Sequence, residues 1–199
     1  YFRRSPKVRE GRPPHYLWNA KMRFGKTFTT YQLALEMGWT KVLVLTYKPA
    51  VQDSWLTDLR SHTDFTDWQF IGKGDSFNDI DESKPYIWFA SFQDVLGRAA
   101  DGSIKSRLEA MHLADWDCVV LDEYHFGSWR DTAKELYDSE PSEKKEEDEV
   151  QDRFSEEVLE DKLALDVYNY LYLSGTPFRS LAMGEFSEDQ IFSWTYADE

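Results

Sequence analysis

The chain has 199 residues, of which 41% are hydrophobic and 30% are charged, and its formal net charge is −14. That length suits one domain with a sizeable buried core, and the acidity argues against broad non-specific binding of nucleic acid by this chain. The single cysteine, Cys118, excludes an intramolecular disulfide framework, and no apolar stretch approaches the ~18 residues of a membrane span, so we expect a cytoplasmic protein with no membrane partner.

Strand-like and helix-like stretches alternate along the sequence. Strands are predicted at about 15–19, 41–46, 67–72, 86–90, 117–122 and 168–173. Helices are predicted at about 26–37, 49–60, 92–99, 103–113 and 130–137. This alternation is typical of an α/β domain whose mainly parallel central sheet is flanked by helices on both faces.

A candidate phosphate loop lies between the first strand and the first helix. Residues 20–27, AKMRFGKT, match the template G-x-x-x-x-G-K-[ST] except that Ala20 stands at the first glycine. Such a loop directs backbone N–H groups and a helix N-terminus at the phosphates of a nucleotide. Lys26 would reach the β- and γ-phosphates, and the Thr27 hydroxyl would hold Mg²⁺. The residues predicted to bind the nucleotide are Ala20, Met22, Arg23, Phe24, Gly25, Lys26, Thr27 and Phe28. An ordinary turn before a helix is the alternative, and Arg23 could equally touch a phosphate or point to solvent.

A second candidate segment is 117–123, in which the apolar run after Asp117 ends in Asp122 and Glu123. A continuous apolar run suits a parallel strand that is buried on both faces, and ligands of such sheets bind beyond the carboxyl ends of the strands. Asp122 would hold Mg²⁺, which prefers oxygen ligands, and Glu123 would orient the attacking water. With Lys26, these two acids are the predicted catalytic residues. The alternative is a pair of solvated acids after a strand.

The last apolar run leads into SGTPF at 174–178, where Ser174 and Thr176 offer hydroxyl groups at a strand end. With these three motifs in this order, the chain resembles the first RecA-like lobe of superfamily two helicases, of the DExH type. Within that superfamily it is most similar to the helicase-like subunits of restriction systems and related phage or mobile-element proteins. The matching segments are AKMRFGKT as motif I, DEYH at 122–125 as motif II and SGTPF as motif III.

The resemblance implies a P-loop ATPase that uses ATP and Mg²⁺ and couples hydrolysis to movement on nucleic acid, with DNA favoured over RNA. It implies a coupling role for His125, Ser174 and Thr176. The loops that match motifs Ia and Ib supply the candidate contacts with the nucleic-acid backbone, which are Thr46, Lys48, Ser91 and Gln93. For each of these four, an ordinary polar residue at a strand end is equally consistent. At Arg23, many members of the family have a second glycine.

Residues 1–199 are expected to form a single lobe. An acidic surface insertion is expected at about 138–162, which holds twelve acids against four bases. The ATP site of this family lies between two RecA-like lobes, and no second lobe is found in the sequence, so we expect little activity from this fragment alone. The implied partners are DNA, a second lobe and a nuclease domain or subunit. The alternatives are a degenerate nucleotide-binding or scaffolding module, and a P-loop ATPase that does not act on nucleic acid.

Overall fold

The structure is a computed structural model that describes residues 1–5, 12–21, 23–96, 108–122, 163–175 and 186–194. Several sequence predictions lie outside the described residues. They are those for Met22, Glu123, His125, Thr176, the helix at 130–137, the insertion at 138–162, and residues 97–99 and 103–107 of two further predicted helices.

Nine strands are described. They are β1 (His15–Ala20), β2 (Lys41–Thr46), β3 (Gln69–Ile71), β4 (Tyr86–Ser91), β5 (Asp115–Trp116), β6 (Cys118–Asp122), β7 (Asp166–Val167), β8 (Tyr170–Ser174) and β9 (Ile191–Trp194). Seven of them form one sheet in the order β3-β4-β2-β6-β8-β1-β9, and every pairing in it is parallel. The short strands β5 and β7 pair separately, also in parallel.

Four α-helices are described. They are α1 (Lys26–Met37), α2 (Gln52–Arg60), α3 (Phe92–Leu96) and α4 (Glu109–Leu113). Helix α1 ends at Gly38, which has a left-handed φ of +68°, and the N–H of Trp39 closes the helix by donating to the Ala34 carbonyl at 2.9 Å. None of these helices is long and apolar enough to cross a membrane.

Two apolar clusters lie on opposite faces of the sheet, because alternate side chains of each strand point to opposite sides. From β2, Leu43 and Leu45 join one cluster while Val42 and Val44 join the other. Helices α3 and α4 contribute to the first cluster, and α1 and α2 contribute to the second. The predicted α/β class, with helices on both faces of a parallel sheet, is therefore confirmed.

The six predicted strands are all present, with ends that differ by at most two residues. The predicted helix at 49–60 is a 3₁₀ turn at Pro49–Val51 that continues as α2. The sequence did not predict β9, since this edge strand is half-exposed and lacks the continuous apolar run of the central strands. The two-residue strands β5 and β7 are too short to leave a pattern in the sequence.

Candidate functional site

The last residues of the parallel strands share one side of the sheet, which we call the carboxyl edge. These residues are Ala20, Thr46, Ile71, Ser91, Asp122, Ser174 and Trp194. In the strand register, Asn19 lies beside Ser174 and Thr46 lies beside Asp122. The three motifs found in the sequence therefore emerge at the edge where parallel α/β sheets bind their ligands.

The phosphate loop takes a left-handed backbone conformation at two positions. Gly25, immediately before α1, has a φ of +80°, and a Cβ built there would meet no atom within 4 Å. Its open surroundings leave the start of α1 accessible to an anion. Arg23 has a φ of +75° and an exposed side chain. A left-handed conformation costs a non-glycine residue about 1–2 kcal/mol, a cost that a glycine at this position would avoid.

The ammonium group of Lys26 is the point where motifs I and III meet. Its Nζ donates a hydrogen bond to the carbonyl oxygen of Ala20 at 3.0 Å. A Cβ built on Gly175 would lie 3.8 Å from this Nζ and 3.7 Å from the same carbonyl oxygen. The end of β1 and the first residue after β8 therefore both lie beside the positive charge of Lys26, the first residue of α1. Thr27 follows in the first turn of α1 and is half-buried.

The two aromatic residues of the loop region pack in different directions. Phe24 packs against Trp194 of β9, with ring centroids 5.4 Å apart. Phe28 packs against His62 at 5.4 Å and against Phe65 at 6.0 Å. These contacts hold the loop to β9 on one side and to the segment after α2 on the other. Both rings are half-buried.

The carboxylate of Asp122 is buried, with 6% of the residue exposed. Its Oδ2 accepts a hydrogen bond from the indole Nε1 of Trp55 at 3.0 Å. Asp122 is therefore shielded from solvent, whereas Glu123, the second acid of the predicted pair, lies outside the described residues. Sequence reasoning missed Trp55, because the two residues are 67 positions apart and only the folded chain brings them together. The one available signal was that a buried tryptophan requires an acceptor for its N–H.

The four candidate contacts with nucleic acid differ in exposure. Thr46 is fully buried, and its hydroxyl accepts a hydrogen bond from the N–H of Lys48 at 3.1 Å. The hydroxyl of Ser91 is engaged by Asp94, donating to Oδ2 at 2.9 Å and accepting from the N–H at 3.1 Å. The Lys48 side chain is exposed, whereas Gln93 is half-buried and its Oε1 is buried without a hydrogen-bond partner among the described residues. Two of the four candidates, Thr46 and Ser91, therefore use their hydroxyl groups to shape turns, and Lys48 presents a charge to solvent.

A cavity of about 300 Å³ lies between the loops that follow β2, β3 and β4. Its lining includes Gln52, Lys73, Ser91 and Gln93. The N–H of Lys73 donates to Gln52 Oε1 at 2.8 Å, so the loop after β3 is fixed to the first turn of α2. The loops matched to motifs Ia and Ib thus line one shared cavity.

Comparison with known proteins gives two informative matches, whereas no protein-family model matches the sequence. A Mycoplasma pneumoniae protein, provisionally named as the C-terminus of a type II restriction enzyme and methyltransferase, is 34% identical over 219 aligned positions. The alignment covers all of this chain but 30% of that protein. The SWI2/SNF2 ATPase core of Sulfolobus solfataricus, solved in complex with double-stranded DNA, matches with a TM-score of 0.51 at 16% identity, over 84% of this chain and 29% of that chain. The chain therefore has the RecA-like fold of that ATPase core, and it spans about a third of the length of either protein.

Proposed function

We propose that this chain is the first, ATP-binding lobe of a DExH-type motor that acts on DNA, within a restriction-type enzyme. The observation that carries the proposal is the convergence at the carboxyl edge. The Ala20 carbonyl and Gly175 lie beside Nζ of Lys26, the first residue of α1. The buried carboxylate of Asp122 ends β6, which is two strands from β1 in the sheet.

The start of α1 suits the phosphates of ATP. Gly25 leaves the helix N-terminus open, and the N–H groups and helix dipole there favour an anion. Lys26 Nζ needs only to exchange the Ala20 carbonyl for a phosphate oxygen, which is the stronger acceptor because it is charged. Arg23 is exposed on the same loop and is available to a phosphate.

Thr27 and Asp122 are the residues that would hold Mg²⁺. A hydroxyl and a carboxylate are the oxygen ligands that this cation prefers, and a buried carboxylate at the carboxyl edge fits that role. When bound, Mg²⁺ neutralises the charge that develops on the transferred phosphoryl group. Only β8 separates β6 from β1, so the ends of these two strands lie roughly 10 Å apart, at about 4.8 Å per strand. Glu123, the next residue, would orient the attacking water.

Action on DNA is supported by both comparisons and by the loops beside the cavity. The Mycoplasma relative carries the name of a restriction enzyme, and the SWI2/SNF2 core was solved on double-stranded DNA. The exposed Lys48 suits a contact with the phosphate backbone, with Thr46, Ser91 and Gln93 positioning the loops around it. The ATP site would be coupled to these loops by His125 and by two residues of motif III, Ser174 and Thr176. A second RecA-like lobe and a nuclease domain or subunit are the further partners proposed.

Nucleotide titration of the full-length protein tests the proposal. Lys26→Ala removes the charged donor, so we expect the affinity for Mg²⁺-ATP to fall roughly 10- to 100-fold, as the loss of a charged hydrogen bond implies. Glu123→Gln should bind ATP but hydrolyse it far more slowly. Lys84→Ala, an exposed lysine before β4 at the opposite edge, is the matched control and should behave as wild type. Equal affinities in Lys26→Ala and Lys84→Ala would contradict the assignment of a phosphate site. ATP hydrolysis that DNA does not stimulate would favour the alternative of a P-loop ATPase that does not act on nucleic acid.

A further inference from the structure

The buried hydrogen bond between Trp55 and Asp122 joins two distant parts of the chain. The indole Nε1 lies 3.0 Å from Asp122 Oδ2, and Trp55 is only 1% exposed. A buried carboxylate needs hydrogen-bond donors to offset its lost hydration, and an indole N–H can only donate. The contact therefore fixes one oxygen of Asp122 in a definite direction.

Trp55 is itself held in place by the helix that carries the phosphate loop. The hydroxyl of Tyr31, on α1, donates to the Trp55 carbonyl oxygen at 2.7 Å. The Tyr31 ring also meets the indole edge-on, with centroids 5.5 Å apart. Burial, and then the charges of Asp58 and Asp122, raise the pKa of Tyr31, so its hydroxyl stays protonated and remains a donor. The middle of α1 and the end of β6 are thus linked through Trp55.

We propose that Trp55 is a positioning residue that orients the Asp122 carboxylate toward a divalent cation bound with the nucleotide. The inference rests on the proposed function, since it assumes that Asp122 holds Mg²⁺. Donors behind a metal ligand set its direction, and their loss typically lowers metal affinity or activity 10- to 100-fold. The link through Tyr31 ties that direction to α1, whose first two residues, Lys26 and Thr27, would face the phosphates of the nucleotide.

The test compares two tryptophans in the full-length protein. Trp55→Phe removes the indole N–H and keeps an aromatic ring. Trp116→Phe is the matched control, because Trp116 is also fully buried and its Nε1 donates to the Met111 carbonyl at 2.9 Å, at the amino end of β6. The readouts are the Mg²⁺ concentration that half-saturates binding of a fluorescent ATP, and the affinity for the same nucleotide without Mg²⁺.

We expect Trp55→Phe to raise the half-saturating Mg²⁺ concentration about tenfold. Its affinity for the nucleotide without Mg²⁺ should stay within about twofold of wild type. Trp116→Phe should change neither value. If Trp55→Phe and Trp116→Phe require the same Mg²⁺ concentration while wild type binds Mg²⁺-ATP, the inference is overturned and the proposed function stands. An equal loss of Mg²⁺-free binding in Trp55→Phe also overturns it, since that loss indicates a general structural role.

Absence of any Mg²⁺-dependent nucleotide binding in the wild type would instead overturn the proposed function, and this inference with it. Should Trp55→Phe fail to fold, Tyr31→Phe tests the same link with a smaller change. It removes the hydroxyl that donates to the Trp55 carbonyl and keeps the ring. We expect the half-saturating Mg²⁺ concentration to rise roughly threefold, which is less than the 10- to 100-fold effect of removing a residue that contacts the metal ligand itself. No rise in Tyr31→Phe would overturn the inference.

Discussion

Two aspartates mark the opposite ends of β6 and are used in different ways. At the amino end, Oδ2 of Asp117 accepts hydrogen bonds from the N–H of Thr40 at 2.8 Å, the N–H of Lys41 at 3.1 Å and the Thr40 hydroxyl at 3.2 Å. At the carboxyl end, Asp122 is buried and accepts from the side chain of Trp55. One carboxylate is fixed to backbone groups of a neighbouring strand, and the other lies at the edge where the three motifs converge.

The amino edge is a network of backbone contacts around Asp117. The side chain of Asn169 donates to the Asp117 carbonyl at 2.8 Å, and the Asn169 carbonyl accepts from the N–H of Val119 at 2.9 Å. These bonds tie β6 to β8, as the Asp117 carboxylate ties β6 to β2. The position of each acid in the fold and the groups that it contacts, rather than the acid itself, therefore separate a structural carboxylate from a candidate ligand.

The largest expected effect is on Asp122. Asp122→Asn keeps the size of the side chain and an acceptor for Trp55 but removes the charge that would hold Mg²⁺. A metal contributes several kcal/mol of transition-state stabilisation, so we expect kcat/KM for ATP in the full-length protein to fall at least about 100-fold. Steady-state hydrolysis with varied Mg²⁺ measures this. A similar fall in Asp117→Asn would erase the distinction between the two ends of β6.

For the free energy of unfolding, we expect the larger effect at Asp117 rather than at Asp122. Asp117→Ala leaves two backbone N–H groups and a hydroxyl without their acceptor. The N–H and hydroxyl of Thr40 are exposed and can form hydrogen bonds with water instead. We expect the free energy of unfolding to fall by about 2 kcal/mol, with no change in affinity for Mg²⁺-ATP. Urea unfolding of Asp117→Ala against Asp115→Ala, an exposed aspartate of β5, checks this. Equal stabilities of these two variants would show that the network at the amino edge contributes little.

The phosphate loop gives a smaller effect that is confined to the carboxyl edge. Gly25 and Arg23 share a left-handed backbone, with φ values of +80° and +75°. Gly25→Ala should lower the free energy of unfolding by about 1 kcal/mol, and Arg23→Gly should raise it by about 0.5 kcal/mol, as relief of strain exceeds the entropy that glycine loses. Thermal unfolding of both variants measures the difference. Shifts of the same sign in the two variants would be inconsistent with backbone strain at Arg23.

The smallest effect concerns Cys118, which follows Asp117 and is fully buried. Burial, and then the charge of Asp117, raise the pKa of the thiol. A pH equal to the pKa of an ordinary thiol therefore does not ionise Cys118 in the folded protein. We expect alkylation of this single cysteine to be slow and limited by unfolding, and faster in Asp117→Ala. Labelling with iodoacetamide at increasing pH measures this rate. Modification of the native protein as fast as a free thiol would contradict the buried position.

The sequence predicted the strands that are continuous apolar runs, the helix at about 26–37 and the order of the motifs, because each is a local pattern. It did not predict β9, whose half-exposed residues leave no such run. It did not find the bond between Trp55 and Asp122, and it assigned no role to Asp117. Both depend on which donors the fold brings to each end of β6, and pairs separated by 67 or 76 positions leave no trace in a local pattern.

A structure with Mg²⁺ and a non-hydrolysable ATP analogue would examine the carboxyl edge directly. We expect the phosphates at the start of α1, with Lys26 Nζ moved from the Ala20 carbonyl to a phosphate oxygen. The cation should lie between Thr27 and Asp122, with the Trp55 indole still donating to the Asp122 carboxylate. Phosphates bound away from α1, or Lys26 Nζ still bonded to the Ala20 carbonyl with the analogue in place, would contradict an ATP site at this edge.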